Sequence, residues 1–313
     1  MVNLILKRLA VMLPTLLLVA IFVFSLQRLL PGDPVLALAG EDRDPATLEA
    51  LRLQLGLDKP IPVQFAYWLN AILHGDFGIS YKTNQPVLEL ILQKLPVTIE
   101  LASFALIIAL SIGIPAGIIS AYRKGTTVDY AANVLALSGL SIPNFWFGIL
   151  LILLFAVKLK WLPASGYVSP WEDLSRNLQT MIMPAFVLGN ALAASIMRHT
   201  RSAMLAVLSQ DYVRTARAKG LYEPRVVLRH AFRNALIPIV TVTTLLFGEL
   251  MAGAVLTEQI FTIPGFGKLV VDAVFNRDYA VVQGVVLCTA IGFMVMNLLA
   301  DVAYGLLNPR IRA

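Results

Sequence analysis

The sequence predicts an all-α, polytopic membrane protein with six transmembrane helices. Two bulk properties predict this fold class: 58% of the 313 residues are hydrophobic, and 14% are charged, against about 25% in soluble domains. The third observation is that apolar runs of about 20 residues recur, which is the length that crosses a hydrocarbon core of roughly 30 Å. Six such runs occur, at 9–30, 97–121, 131–157, 180–204, 237–257 and 280–307.

The first apolar run is interpreted as a retained transmembrane helix. Lys7 and Arg8 precede it, as basic residues do in a signal peptide. However, the run is longer than the apolar region of such a peptide and lacks a small-x-small cleavage site before Pro31. Residues 1–30 are therefore predicted to comprise a cytoplasmic N-terminus and the first span.

Residues 31–96 are predicted to form an extracytoplasmic segment with short amphipathic helices. The turn chemistry of LLPGDP ends the first span. Asp44 and Pro45 have the pattern of an N-cap followed by proline at the first helical position, and Gly56 ends this helix. The stretch IPVQFAYWLNAILHGDFG (61–78) is typical of a second helix. Its aromatic residues suit the lipid interface, but a cap that receives a soluble partner is also possible, and both alternatives stay open.

Residues 97–307 are predicted to form a core of five transmembrane helices. GIPAG in the second span is a small-xxx-small pattern, which favours close helix packing. Polar residues within spans mark faces turned toward protein or water. On that ground, the residues predicted to line a translocation path are Asn190, Ser195, Thr244, Glu249 and Asn297. Glu249 either faces a cavity, where it would meet a peptide amino group or a cation, or is hydrogen-bonded within a helix interface.

The sequence contains no pattern for covalent chemistry. It has no G-x-x-x-x-G-K-[ST] phosphate loop, no H-E-x-x-H zinc motif and no nucleophile elbow. One cysteine, Cys288, excludes a disulfide framework and a multi-cysteine metal site. We therefore expect a chain that is not an enzyme and holds no cofactor or metal. No nucleic-acid partner is expected, because no basic domain interleaved with aromatic residues is present.

The distribution of charge predicts that both termini are cytoplasmic. With the N-terminus inside, 14 of the 25 Lys and Arg residues fall on the cytoplasmic side. Only four acids fall there: Asp129, Asp211, Glu223 and Asp301. The net charge of +6 is thus concentrated on one face, as the positive-inside rule expects. The tail, residues 308–313, is predicted to be cytoplasmic as well.

A strongly basic stretch interrupts the apolar chain before the fifth span. YVRTARAKGLYEPRVVLRHAFRNALIPIV, which begins at Tyr212, carries six Lys and Arg residues against a single acid, Glu223. Asp211 is predicted to be the N-cap of a short helix, and Gly220 is predicted to be its left-handed C-cap. A second helix then leads into the fifth span.

The short basic helix has two interpretations. Val213 and Ala216 lie on one side of it and form a narrow apolar face that would enter a groove on a partner, flanked by Arg214 and Arg217 as charge partners for acids. Alternatively, the stretch is a positive-inside loop that grips anionic lipid headgroups. The residues alone leave both interpretations open.

The motifs RTARAKG and LRHAFRNALIP resemble the cytoplasmic coupling loop of ABC-importer permeases of the dipeptide/oligopeptide/nickel branch. The resemblance covers nearly the whole chain, through LLPGDP, QLGLDKP, HGDFGIS, SIPNFWFGILL, IPGFGKLVVDAVFNRDY and NPRIR. The broader importer signature begins Glu-Ala-Ala, but Arg214-Thr215-Ala216 stands in that place here, so a base replaces the acid.

The resemblance implies the type I ABC importer permease fold, with a coupling loop at 205–236. The residues that it assigns to coupling with an ATPase are Asp211, Tyr212, Val213, Arg214, Thr215, Ala216, Arg217, Lys219 and Gly220. Implied partners are a second homologous permease, two P-loop ATPase subunits that hold ATP and Mg, an extracytoplasmic substrate-binding protein and membrane lipid. The implied location is the bacterial inner membrane.

The cargo implied by the resemblance is a di- or oligopeptide, with nickel chelates and glutathione as alternatives. An alternative of another class is an ion-coupled secondary transporter, and a third is a structural membrane scaffold. Inverted repeats and paired unwound helices would favour a secondary transporter, but the sequence has neither. The polar faces of the last three spans oppose a scaffold.

Overall fold

The computed structural model describes residues 2–29, 35, 44–54 and 56–307. In these ranges the one strand-like pairing is an antiparallel bridge between Ile79 and Pro86. In chain order the helices are α1 (Val2–Leu29), α2 (Pro45–Gln54), α3 (Ile61–Leu73), α4 (Val87–Tyr122), α5 (Thr127–Ser141), α6 (Asn144–Leu151), α7 (Leu174–Leu208), α8 (Asp211–Ala218), α9 (Glu223–Arg225), α10 (Phe232–Gly253), α11 (Val255–Ile260), α12 (Phe266–Phe275) and α13 (Tyr279–Leu307). π-Helical segments extend α6 over Ile152–Lys158 and join α9 to α10 over Val226–Ala231.

The predicted spans correspond to long helices, with one correction. Five segments in the described ranges are long and apolar enough to cross a membrane: Ile5–Ser25, Val87–Tyr122, Leu174–Leu208, Glu223–Leu250 and Tyr279–Val302. The predicted continuous span over 131–157 is instead a pair, α5 and the extended α6, bent by 96°. Counted as one span, this pair gives up to six.

Pro143 explains the break in the third span. The preceding residue, Ile142, has φ −80° and ψ 123°, which is the extended conformation favoured before a proline. Proline also lacks the N–H that would continue the helical hydrogen bonds. The run of hydrophobic residues does not reveal this bend, because it continues through both arms.

Close packing of α4 against α7 forms the centre of the molecule. Each helix presents glycine to the other: an added Cβ would lie 2.6 Å from Thr200 at Gly117, and 2.8 Å from the Ala105 carbonyl oxygen at Gly189. Larger residues at these positions would force the helices apart, as the small-xxx-small pattern predicts. The residues buried around this contact include Leu101, Met181 and Ile196.

The segment after α1 contains the two predicted short helices, α2 and α3. The aromatic side of α3 packs on α1, since the Phe24 ring lies 5.3 Å from Phe65 and 5.5 Å from Trp68 between centroids. Helix α4 contains the predicted span 97–121 and begins before it, at Val87. The turn within LLPGDP and the tail 308–313 lie outside the described residues.

The start of α1 and the end of α13 lie at the same end of the helix bundle. Helices α1 and α13 pack together, and Arg8 Nε lies 2.7 Å from a carboxylate oxygen of Asp301. The N-terminal and C-terminal helices are therefore joined by a charge pair at a common face.

Candidate coupling site and transport path

Helix α8 is the short basic helix that the sequence predicts, displaced by one residue at its start. Gln210 is the N-cap, with φ −76° and ψ 150°, and Asp211 is the first helical residue. The prediction that Asp211 is the N-cap is therefore wrong. Its carboxylate is solvent-exposed and forms a long, 3.5 Å pair with Arg214. An acid in the first turn still interacts favourably with the positive end of the helix dipole.

Gly220 ends this helix as predicted. Its φ is +74°, which is the left-handed conformation that glycine adopts without steric cost. The Gly220 amide donates to the carbonyl of Arg217 at 2.9 Å, and the Leu221 amide donates to Ala216 at 3.4 Å. A Cβ at Gly220 would meet nothing within 4 Å, so the requirement for glycine is conformational and does not come from packing.

The apolar face of α8 turns into the protein. Val213 is fully buried, and Ala216 is 7% exposed. Both pack with Val226, and partly buried residues of the same cluster are Val207, Leu208 and Leu221. The expectation that this face enters a groove on a partner is contradicted, because the chain itself covers it. An amphipathic pattern identifies a buried face but does not say what buries it.

The polar face of α8 is exposed and is tied to the next helices at two points. The exposed residues are Asp211, Tyr212, Arg214, Thr215, Arg217 and Lys219. Arg217 Nη2 lies 2.7 Å from the Glu223 carboxylate, and this hydrogen-bonded partner raises the pKa of the Arg217 guanidinium. The Asn234 side-chain amide donates to the Tyr212 hydroxyl at 2.8 Å. A displacement of α8 would therefore pull directly on α9 and α10.

The π-helical segment between α9 and α10 packs beneath α8. Val227 and Ala231 are buried with Ala121 at the end of α4 and Met204 near the end of α7. Single π-helical turns within helices are frequent at functional sites. The start of α10 is thus held by both central helices as well as by α8.

The five predicted path residues lie on three different helices. Asn190 and Ser195 are half-buried on α7, Thr244 and Glu249 lie on α10, and Asn297 is half-buried on α13. The Thr244 hydroxyl donates to its own helix, at the carbonyl of Val240. Glu249 is exposed and makes no hydrogen bond within the described residues. No described pocket brings these five residues together.

A buried ion pair that sequence reasoning missed joins three helices at the α8 end. The Arg201 guanidinium on α7 donates from Nε and Nη2 to the two carboxylate oxygens of Asp129 on α5, both at 2.8 Å. Ser120 on α4 and the Gly125 amide also donate to this carboxylate. Asp129 is 3% exposed, so an acid that charge counting only assigned to one side of the membrane is a core residue.

A second missed cluster surrounds Glu258 at the opposite end of the bundle. The Thr98 hydroxyl donates to Glu258 Oε1 at 2.6 Å, and the Lys268 amide donates to Oε2 at 2.8 Å. The Phe266 amide in turn donates to the Thr98 hydroxyl at 2.7 Å. Burial raises the pKa of the Glu258 carboxyl, although hydrogen bonds from Thr98 and from the amides of Lys268 and Gly267 oppose the shift.

The sequence contains one signal for this second cluster. In IPGFGK, two glycines follow Glu258 at a spacing that lets the backbone wrap around a side chain. A Cβ at Gly265 would lie 2.3 Å from the Glu258 carboxylate. Within the described residues, no group of three potential metal ligands occurs here or elsewhere.

Comparisons with known proteins agree with this geometry. Residues 113–313 match the family model described as "Binding-protein-dependent transport system inner membrane component", and residues 1–102 match the model for the N-terminal part of such membrane components. These two matches together cover most of the chain.

The chain is also similar along its full length to curated relatives. One relative, a protein of Brucella abortus (strain 2308), is 44% identical over 312 residues, and the alignment covers 100% of this chain and 99% of the relative. Its name, peptide transport system permease protein, is itself an inference. The chain is 43% identical over 336 residues to the dipeptide transport system permease protein DppB of Escherichia coli (strain K12), with the same coverage.

One solved structure supports the fold. The inward-facing MetNI methionine ABC transporter matches with a TM-score of 0.58 and 16% identity, over 70% of this chain and 96% of that chain. The family matches favour the resemblance derived from the motifs over an ion-coupled secondary transporter.

Proposed function

Because the chain belongs to the family of inner membrane components of binding-protein-dependent transport systems, we propose that it forms half of the translocation pathway for di- and oligopeptides in an ATP-driven importer. The chain is a multi-pass inner-membrane transport subunit and not an enzyme. The peptide cargo is supported by the names of the two relatives, at 44% and 43% identity over the full length.

The proposed complex contains a second, homologous permease, two P-loop ATPase subunits on the cytoplasmic side and a substrate-binding protein outside. ATP and Mg bind to the ATPase subunits, and no cofactor binds to this chain. Both termini and α8 are placed in the cytoplasm. The Arg8–Asp301 pair, which holds the terminal helices together, and the concentration of Lys and Arg on the same side support this orientation.

The single observation that carries the mechanism is the attachment of α8. Its polar face is exposed and is available to an ATPase, whereas its apolar face is fastened to the permease core. Asp211, Tyr212, Arg214, Thr215 and Lys219 provide the contact surface, and Val213, Ala216, Arg217 and Gly220 hold the helix in place. Closure of the ATPases displaces α8, and the Arg217–Glu223 and Tyr212–Asn234 contacts pass this displacement to α10.

Helix α10 transmits the displacement of α8 into the membrane. It packs against α7 and α13, which bear the other predicted path residues, so a shift of α10 changes the width of any path between these helices. Two arrangements of the core, inward-open and outward-open, are needed for transport, and ATP and the binding protein change their relative populations.

Substitution of Gly220 tests this mechanism. Gly220→Leu would destabilise the left-handed turn by about 1–2 kcal/mol, whereas Gly220→Asn is the matched control, because asparagine tolerates that conformation. We expect Gly220→Leu to insert into the membrane but to hydrolyse ATP without peptide uptake in proteoliposomes, and Gly220→Asn to keep most of the uptake. Normal uptake by Gly220→Leu would contradict the mechanism.

Glu249 is relevant to the choice among cargoes. It is an exposed carboxylate on α10 without a hydrogen-bonding partner in the described residues, and an ionisable group inside a span commonly faces a cavity. A carboxylate suits the amino terminus of a peptide, and it also suits a cationic nickel chelate, whereas anionic glutathione fits less well. Binding of dipeptides, longer peptides, nickel chelates and glutathione to the cognate binding protein, followed by uptake with Glu249→Gln, separates these cargoes.

A further inference from the structure

The second half of the basic stretch carries three arginines that are spaced one helical turn apart. Arg225 ends α9, Arg229 lies in the π-helical segment, and Arg233 follows at the start of α10. Side chains four residues apart lie on the same side of a helix, and all three of these are exposed. We call this set the arginine stripe.

The opposite side of the same segment is buried. Val226 packs with the apolar face of α8, and Val227 and Ala231 pack with residues near the ends of α4 and α7. The protein core therefore fixes the rotation of this segment, and the arginine stripe points away from the core.

The positive charge of the arginine stripe has no counter-charge in the described part of the chain. Within that part, none of the three guanidinium groups makes a hydrogen bond or an ion pair. The sequence has no Asp or Glu between Glu223 and Glu249, and Glu223 is already paired with Arg217 of α8. Three cations on one helix face repel one another, so an anion from outside the chain would stabilise them.

The position of the stripe along its helix matches the headgroup layer of a bilayer. The helical segment Glu223–Leu250 has 28 residues, which is about 42 Å at 1.5 Å per residue, whereas the hydrocarbon core is roughly 30 Å thick. About eight residues must therefore lie outside the hydrocarbon. They belong to the end with the arginine stripe, because the apolar run of the fifth span begins at residue 237.

Two exposed side chains beside the stripe suit the same layer. Leu228, next to Arg229, is 56% exposed, and Tyr222, three residues before Arg225, is 75% exposed. Basic residues combined with exposed leucine and tyrosine are typical of a segment at the lipid interface, where the charges meet headgroups and the apolar parts enter the boundary of the acyl chains.

We propose that the arginine stripe binds the phosphate groups of anionic phospholipids in the adjoining leaflet and thereby holds the start of α10 at a fixed depth. A guanidinium donates two parallel hydrogen bonds to phosphate oxygens. The net negative charge of an anionic headgroup complements the stripe, whereas a zwitterionic headgroup brings its own cation. The two interpretations of the basic stretch thus apply to different halves, with α8 facing the ATPase and the stripe facing lipid. The inference goes beyond the proposed function, because it holds for any cargo.

The test uses the complete transporter in phosphatidylcholine nanodiscs that contain a rising mole fraction of photoactivatable phosphatidylglycerol. Cross-links to residues 222–236 are quantified by mass spectrometry, and the mole fraction that gives half-maximal cross-linking measures the affinity. We expect Arg229→Gln to raise this mole fraction about fivefold, which corresponds to one basic side chain near an anionic surface. The triple variant Arg225→Gln, Arg229→Gln and Arg233→Gln should raise it by more than about tenfold.

Two control variants separate the charge and its position from other effects. The three corresponding Arg→Lys substitutions keep the charge and should keep half-saturation within about threefold of wild type, since lysine also binds phosphate. Three exposed cations at the other end of the bundle are neutralised in the matched control, Lys158→Gln, Lys160→Gln and Arg176→Gln. This control should leave half-saturation within about twofold of wild type, because charges farther apart than about 10 Å are screened. Basal ATP hydrolysis in pure phosphatidylcholine should be equal in all variants, which verifies that they fold.

Equal half-saturation for wild type and the triple Gln variant would overturn the inference, as would equal cross-linking of wild type by phosphatidylglycerol and phosphatidylcholine. If half-saturation is unchanged and the triple Gln variant instead loses its ATPase subunits in detergent without anionic lipid, the stripe contacts the ATPase and the inference is wrong. A shift that occurs in the triple Gln variant while the ATPase subunits are retained supports it. Absence of peptide uptake by wild type would overturn the proposed cargo and leave this inference in place.

Discussion

The two ends of the transmembrane bundle each bury a carboxylate, and they satisfy it in different ways. Asp129, near α8, receives two hydrogen bonds from the Arg201 guanidinium. Glu258, at the far end, is fully buried and accepts hydrogen bonds from the Thr98 hydroxyl and the amides of Lys268 and Gly267. One carboxylate is neutralised by a cation, whereas the other is held by neutral donors alone.

This difference indicates which end of the molecule can adjust. The side chain of Arg201 is 25% exposed, and a long side chain with access to water can follow small movements of α5 and α7 without losing its charge partner. The Glu258 cluster has no such freedom, because the carboxylate is fully buried and is held by the Thr98 hydroxyl of α4 and by backbone amides of α12. We therefore expect the far end to behave as a rigid unit while the α8 end moves.

The largest expected effect is at the ion pair. Arg201→Leu leaves the buried Asp129 carboxylate without its cation, which typically costs about 3–5 kcal/mol. The matched control is Arg8→Leu, because the Arg8–Asp301 pair is much more exposed and such pairs contribute about 0–1 kcal/mol. Unfolding in mixed detergent micelles measures both. The double variant Arg201→Leu with Asp129→Asn should regain part of the lost stability, since the unpaired charge is gone.

A loss for Arg201→Leu no greater than for Arg8→Leu would contradict this assignment. The Asp129 carboxylate would then be satisfied by Ser120, Gly125 and the Asn133 side-chain amide, and the two ends of the bundle would not differ in the way described.

The next largest effect is expected at the far end. A Cβ at Gly265 would lie 2.3 Å from the Glu258 carboxylate, so Gly265→Ala must displace α12 or the buried acid. Overpacking of this kind costs about 1–3 kcal/mol. Gly292→Ala on α13 is the control, because nothing lies within 4 Å of its added Cβ, and it should be neutral. Equal stability of the two variants, measured by thermal unfolding in detergent, would show that the Glu258 cluster is not rigid.

Local patterns in the sequence predicted the helices and the turn at Gly220, because these depend on near neighbours. The apolar runs located the long helices, and a glycine after a helix-competent stretch located the left-handed turn. The bend before Pro143 was missed because hydropathy does not distinguish one helix from two. The start of α8 was missed by one residue, because Gln210 and Asp211 are both compatible with a helix start.

The two carboxylate clusters could not be predicted, because their partners are distant in sequence. Glu258 and Thr98 are 160 residues apart, and Asp129 and Arg201 are 72 apart. No periodicity relates such pairs, so only the packing of helices distant in sequence brings them together. The burial of Val213 and Ala216 has the same cause, since the pattern defines an apolar face and the tertiary structure decides what covers it.

The smallest expected effect concerns the protonation of Glu258. Burial raises its pKa above the usual 4.5 in the folded protein, so the folded state binds a proton more tightly than the unfolded state. The stabilisation from that proton is complete below the unfolded pKa and is lost as the pH rises through the folded pKa. Between pH 7 and pH 5, wild type should therefore gain stability relative to Glu258→Gln, by at most roughly 1.4 kcal/mol per pH unit. The exposed Glu89→Gln, measured by the same unfolding experiment, should show no such gain. A wild type that loses stability relative to Glu258→Gln on acidification would mean that the hydrogen bonds outweigh burial, and the far end would then hold a charged carboxylate, as the α8 end does.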